Sequence, residues 1–366
     1  TQWCETLGFG ALRDPALVRQ FAEIVRQEYL AVGLRVALHP QVDLATEPRW
    51  ARISGTFGED AHVSAELAVA YIEGFQGERL GPDSVACMTK HFPGGGPQNG
   101  GLDPHFEFHR GQIYPGDNLP YHLIPFEAAI DAGTASIMPY YGVPVDQTDE
   151  NVGMSFNKAI ITGLLREKYG YDGVVCTDWG LITGMNIDGA YWPPRAWGVE
   201  HLSEAERVRK ALDAGVDQFG GESRPELVVA LVENGQVTEA RIDHSVRRLL
   251  RQKFQLGLFE DPFVDEGAVL HVLGRPASHA AAATSQRRAM TLLKNAGPTL
   301  PLRGRPRLFV KNMDPAVAAG YGEIVSIPED ADFAILRLQT PWVPVKTDNA
   351  FARSFHHGDL DFKGET

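Results

Sequence analysis

Asp178 is the residue of this chain best placed to do covalent chemistry. It follows the apolar run 174–177 (Val-Val-Cys-Thr), which opens after the turn signal Tyr171-Asp172-Gly173, and it precedes Trp179 and Gly180. A run this short, and rich in β-favouring residues, predicts a buried strand. The carboxylate then stands where a strand ends and a loop begins, the edge at which parallel α/β folds do their chemistry. The competing reading of Asp178 is a helix N-cap, a role that suits aspartate.

Other strand-like runs end in further reactive or polar groups. Lys90 and His91 follow the run 85–89, Tyr140 and Tyr141 follow 135–138, and Arg52 lies in the charged loop after 36–38. With Asp178 and Trp179, the residues Arg52, Lys90, His91 and Tyr141 make a coherent set. A carboxylate can attack an anomeric carbon, cations and an imidazole can grip hydroxyls, and an aromatic ring can stack on a pyranose face. Taken singly, each has a bland alternative: Lys90 and His91 a surface pair, Arg52 a bridge to Glu59 or Asp60, Trp179 a core residue. A lysine at a strand end could also form a Schiff base, as in a barrel lyase.

Several other chemistries find little support. The loop 92–101 (Phe-Pro-Gly-Gly-Gly-Pro-Gln-Asn-Gly-Gly) lacks the Lys-Ser or Lys-Thr of a phosphate cradle. His39, His91, His105 and His109 match no zinc spacing, and the three cysteines, Cys4, Cys87 and Cys176, match none either. No metal and no cofactor are therefore expected. A formal net charge of −13 argues against nucleic acid and acidic membranes as partners. No run approaches the roughly 18 apolar residues that a membrane helix needs. The chain begins with Thr1 rather than Met, which reads as a mature or trimmed form; a cytoplasmic and a secreted or periplasmic location both stay open, as does oligomeric state.

Elements must hold these side chains, and the periodicity supplies them. Helices are expected from Asp14 (cap) with Pro15 to the stop at Gly33, then over 61–74, 123–132, 159–169, 204–214 and 241–254. They alternate with strands at 36–38, 85–89, 135–138, 174–177 and 215–218. Repeated strand-then-helix units predict a parallel α/β fold, closed as a TIM-type (β/α) barrel over 1–260. A doubly wound sheet is the rival, but no dinucleotide fingerprint follows a strand. Residues 261–282 read as a linker, and 283–366 as the start of a second α/β sandwich domain, with a helix at 285–293 and strands at 307–310 and 333–338.

The chain also resembles glycoside hydrolase family 3, the β-glucosidase and exo-β-glucanase group. The carrying motifs are Pro48-Arg-Trp-Ala-Arg52 with Phe57-Gly-Glu-Asp60, Lys90-His-Phe-Pro-Gly94, Ile137-Met-Pro-Tyr-Tyr141, Val175-Cys-Thr-Asp-Trp179 and the stretch 247–259. The resemblance implies that Asp178 is the nucleophile of a retaining double displacement on a β-glucoside or β-glucan. It implies that Arg52, Lys90 and His91 hold sugar hydroxyls, that Tyr141 lies near the nucleophile, and that Trp179 walls the subsite. β-Xylosidase and β-N-acetylglucosaminidase activities, or sugar binding without catalysis, are the alternatives. Three departures accompany it: the family's first strand with its sugar-gripping aspartate is expected before Thr1, Gly55 stands where many members carry glutamate, and the glutamate acid/base is expected beyond Thr366. Asp103-Pro104-His105 resembles the Asp-x-His dyad that serves as acid/base in the family's β-N-acetylglucosaminidases.

Overall fold

The structure, a computed structural model, describes residues 1–187, 190–297, 299–340 and 342–355. Two compact units emerge, one running from Thr1 to Met290 and rejoined by the stretch from Lys346, the other beginning at Thr291 and running to Val345.

The first unit is built on four parallel strands: β1 (Val36–Ala37), β2 (Ala86–Phe92), β3 (Ser136–Pro139) and β4 (Val174–Val175), paired in that order. A parallel bridge from Cys176 to Gln218 adds a fifth step, at the end of the run 215–218. Strands β2 to β4 are almost wholly buried because helices cover their outer side. The helices Pro15–Ala31, Ala61–Gln76 and Leu119–Asp131 pack in succession. Asp14 and Asp60 cap the first two by accepting backbone N–H groups of Leu17, His62 and Val63. Helices Ala159–Lys168, wound in the wider π form, and Glu204–Ala214, closed by a Ser203–Glu206 capping box, continue the alternation. Trp50, Phe75, Phe92, Phe126, Ile137 and Phe156 form part of one continuous core.

Four features differ from the expected elements. Strand β2 runs on through Lys90 and His91 to Phe92, because its ladder to β3 persists across a register shift between Lys90 and Phe92. Polar side chains end an apolar run in the sequence without ending backbone pairing. A hairpin, β5 (Met185–Ile187) with β6 (Ala190–Trp192), and a helix at Pro225–Glu233 were not anticipated. Within the expected linker a helix begins, Pro276–Arg288, and it belongs to the first unit. Its buried residues are Ser278, Ala282 and Ser285, so it packs through small side chains and shows no apolar stripe.

The second unit contains a parallel sheet in the order β8 (Glu323–Val325), β7 (Arg307–Lys311), β9 (Phe333–Leu336). Strands at the expected positions 307–310 and 333–338 are thus joined by a third. Only three residues long, it gives too little alternation to read.

Candidate active site

Asp178 emerges three residues beyond the end of β4 (Val174–Val175), on the side where the polar ends of β2 and β3 also lie. No helix follows that it could cap: the next one, Glu204–Ala214, takes Ser203 as its cap. Its Oδ1 accepts the backbone N–H of Trp179 at 2.8 Å. The loop behind it is pinned by Thr177, whose N–H donates to the Gln218 carbonyl and whose Oγ1 accepts the N–H of Gly220. Glu222 holds the next turn through the N–H groups of Ile182 and Thr183 and the Thr183 hydroxyl.

His91 is 1 % exposed and lies 3.7 Å (Nε2 to Oδ2) from the Asp178 carboxylate. Its orientation is set from behind by Asp43, fully buried, which meets His91 Nδ1 at 2.7 Å and also accepts the backbone N–H groups of His91 and Gly95. Arg52 Nη1 lies 3.3 Å from His91 Nε2. Arginine can only donate, so Nε2 accepts and the ring proton sits on Nδ1, directed at Asp43. Burial, reinforced by Arg52 and Lys90, holds the His91 pKa well below the ordinary imidazole range, in keeping with a neutral ring. Burial also pushes the Asp43 carboxyl up to about 6, against the pull of the Gly95 N–H and Arg52. Near neutral pH, Asp43 is therefore the anion and His91 the neutral donor.

Arg52 continues the network. Its Nη1 donates to the Tyr140 hydroxyl at 3.2 Å, and Tyr140 donates to Asp103 Oδ2 at 2.9 Å. Burial alone would lower the Arg52 pKa, but Tyr140, Asp103 and Asp178 outweigh it and the net shift is upward. The guanidinium points inward rather than to Glu59 or Asp60. Lys90 is half-buried with its pKa lowered, first by burial and then by Arg52, and its ammonium has no hydrogen bond to another described residue.

Tyr141 donates to the Trp179 carbonyl at 2.7 Å and lines the cleft, whereas Tyr140 sits behind it with Arg52. Trp179 is 37 % exposed, a wall rather than core. Its indole lies so close to Gly220 and Gly221 that a Cβ on either would fall within 3.0 Å of it. The loop Phe92-Pro-Gly-Gly-Gly96 has a comparable reason: a Cβ on Gly96 would strike the Leu44 carbonyl oxygen at 1.7 Å. Gly95 and Gly96 admit the segment that carries Asp43 and Leu44.

Asp103 is fully buried and saturated. Its Oδ2 accepts Trp50 Nε1 and the Tyr140 hydroxyl, while its Oδ1 accepts the His105 backbone N–H and lies 2.5 Å from His105 Nδ1. Burial raises its pKa, yet His105 and Arg52 more than reverse this and hold it well below the carboxylate range. His105 lines the same cleft of about 450 Å³ as Asp178, Tyr141 and Trp179. His39 instead sits between the hydroxyls of Tyr29 and Tyr71, and His109 stacks on Trp197. Among the described residues no group of three acids, histidines or cysteines could hold a metal.

Asp43, Tyr140 and Arg195 were not singled out from sequence. Asp43 had a signal, since it too follows a strand, β1. Arg195 had none, for its ring neighbours are Tyr141, just past the end of β3, and Trp192 on β6.

A parallel α/β arc with a polar cleft at the carboxyl ends of its strands defines a (β/α)-barrel protein. The model of the "Glycosyl hydrolase family 3 N terminal domain" matches residues 1–252, and the chain belongs to that family, whose N-terminal domain is a TIM-type barrel. Beta-glucosidase C of Emericella nidulans is 54 % identical over 99 % of this chain, and the periplasmic beta-glucosidase/beta-xylosidase of Dickeya chrysanthemi 41 % identical over 100 %. The chain spans 59 % and 58 % of those relatives' own lengths. A solved β-glucosidase of Erythrobacter marinus superposes with a TM-score of 0.76 at 27 % identity, over 89 % of this chain and 45 % of its own.

Proposed function

We propose that this chain carries the nucleophile and the first sugar subsite of a retaining β-glucosidase. The observation that carries the reading is the buried group Asp43–His91–Arg52 beside Asp178 at the carboxyl ends of adjacent strands. Asp178 attacks the anomeric carbon as the bond to the leaving oxygen breaks, and that oxygen takes a proton from a general acid. The resulting glycosyl ester is then cleaved by water, whose proton returns to the same group. His91 and Arg52 present a fixed ring and a fixed fork to sugar hydroxyls, and Lys90 adds an ammonium with no hydrogen bond to another described residue. Relatives named as β-glucosidases support glucose as the sugar, and the β-glucosidase of Listeria innocua, 25 % identical with a TM-score of 0.73, has been solved in complex with glucose.

Labelling with 2-deoxy-2-fluoro-β-glucosyl fluoride followed by peptide mass mapping tests the assignment. The adduct is expected on Asp178, and Asp178→Asn should lose about 10⁴-fold or more in kcat. A label on any other residue, or full activity of the Asn variant, sinks it. A parallel panel of aryl β-xyloside and β-N-acetylglucosaminide substrates decides the sugar.

For the acid/base, the geometry of the Asp103–His105 pair favours a second, more specific reading. The carboxylate faces Nδ1 and the ring reaches the cleft, so Nε2 is the atom available to exchange a proton with the leaving oxygen.

A further inference from the structure

A second cavity, of about 290 Å³, opens between the glycine-rich loop, the segment after β1 and the start of the helix Leu119–Asp131. It shares no described lining residue with the cleft of Asp178. Its deepest residues are Gln98, Tyr114 and His122, which are 1 %, 6 % and 2 % exposed. Two of them keep a polar atom without a hydrogen-bond partner, Oε1 of Gln98 and Nδ1 of His122. The other imidazole nitrogen, Nε2, meets among the described residues only the Thr46 hydroxyl, at 3.5 Å, the outer limit of a hydrogen bond. Burial lowers the pKa of this ring to about 4, so it is neutral near neutral pH. A buried imidazole with neither nitrogen firmly bonded has given up hydration without replacement, which folded proteins seldom tolerate.

The lining also selects by charge and shape. Its two charged residues, Glu47 and Arg49, neutralise each other, with Nε at 2.8 Å and Nη2 at 2.6 Å from the carboxylate. An ionic ligand therefore finds no unpaired opposite charge on these walls. Thr46, Asn99 and Asn118 contribute a hydroxyl and two amides, and the Asn118 side chain caps no N–H of the helix it precedes. Hydroxyls and amides donate and accept, as the hydroxyls of a sugar do. Ile113 and Pro115 add apolar surface on which the C–H face of a pyranose can lie, and the volume lies at the small end of ligand cavities, the size for a single ring.

We propose that this cavity is a second, non-catalytic site for one neutral hexopyranose, held by Thr46, Asn99 and Asn118 at its mouth and by Gln98 and His122 beneath. The proposal goes beyond the glucosidase reading and does not depend on it.

Equilibrium dialysis of radiolabelled D-glucose against the full chain tests it, with and without saturating isofagomine to fill the cleft at Asp178. With the inhibitor present, about one equivalent of glucose should stay bound, with a Kd of about 10 mM or tighter. Thr46→Val and Asn99→Leu should each weaken that binding about 5- to 10-fold. Asn118→Trp, at an exposed position where folding is least at risk, should fill the mouth and abolish it. No glucose bound beside the inhibitor, binding unchanged in all three variants, or displacement by an equal concentration of glycerol or sulfate would overturn the proposal. Should isofagomine itself fail to bind, the glucosidase reading fails and the variants still decide the second site. Glucose bound without inhibitor should then be lost in Asn118→Trp, and its retention there would sink the proposal.

Discussion

At the scale of the residue, the site depends on proton positions as much as on charges. Arg52 beside Nε2 and Asp43 beside Nδ1 together allow one tautomer of His91, so the ring offers a lone pair rather than a proton toward the cleft. The Asp103–His105 pair is built alike, Asp103 taking three other donors and presenting Oδ1 to Nδ1 of the ring, but here no arginine meets Nε2 among the described residues, which leaves that atom open to the cleft. If His105 is the acid/base, His105→Ala should cut kcat by about 10²–10⁴-fold on a glucoside with a poor leaving group. It should cut far less with a dinitrophenyl leaving group, which departs unprotonated, and azide should restore turnover by forming a glucosyl azide. An equal loss on both substrates would reduce His105 to a structural role. Asp178, Lys90, His91, Arg52 and Trp179 were legible because each ends or follows a strand-like run. Asp43 follows one as well, but its function is to hold His91 in place, and nothing in a sequence distinguishes a carboxylate that orients from one that caps.

At the scale of the element, the strand that delivers Asp178 is only two paired residues long and needs support from elsewhere. Asp217 supplies it. Its side chain accepts the Val175 N–H at 3.0 Å, bonds Arg166 at 2.6 Å and Arg248 at 3.1 Å, and takes the Ser245 hydroxyl at 2.7 Å. One carboxylate thereby joins β4 to the helices Ala159–Lys168 and Glu239–Gln255. Asp217→Ala should cost about 3–5 kcal/mol, since it strands buried donors and leaves the Arg166 guanidinium without its carboxylate, while Arg248 keeps Asp172. Urea unfolding monitored by tryptophan fluorescence measures this, and a loss below 1 kcal/mol would show that the network is dispensable. Helices were read well where caps and an amphipathic face coincide, as at Asp14 and Ser203. Pro276–Arg288 escaped because small residues make its contacts.

At the scale of the molecule, buried imidazoles give the fold a directional response to acid. His122 is 2 % exposed on the helix Leu119–Asp131, and burial lowers its pKa from 6.5 to about 4. Between those values the unfolded chain binds a proton that the native chain does not, so stability rises with pH across the window and is lost as pH falls from 6.5 toward 4. His122→Leu should flatten the dependence of unfolding free energy on pH by about 1.4 kcal/mol per pH unit there. An unchanged slope would mean that His122 titrates normally in the native state. His91 acts in the same direction, while Asp43, raised to about 6, opposes both. The net acid response is therefore smaller than a count of buried histidines predicts.

The amino-acid sequence by itself determined the alternation of strands and helices, the site at the strand ends and the family, because periodicity, caps and short motifs are local properties. Its net charge of −13 argued against nucleic acid and acidic membranes as partners. Tertiary structure decided that Asp43 stands behind His91, which atom of His91 carries the proton, and that Arg195 lies between Tyr141 and Trp192. Those facts depend on side chains brought together from strands, a hairpin and a loop far apart along the chain. No local pattern records such a meeting, because the distance between two side chains is fixed only once the backbone between them has folded.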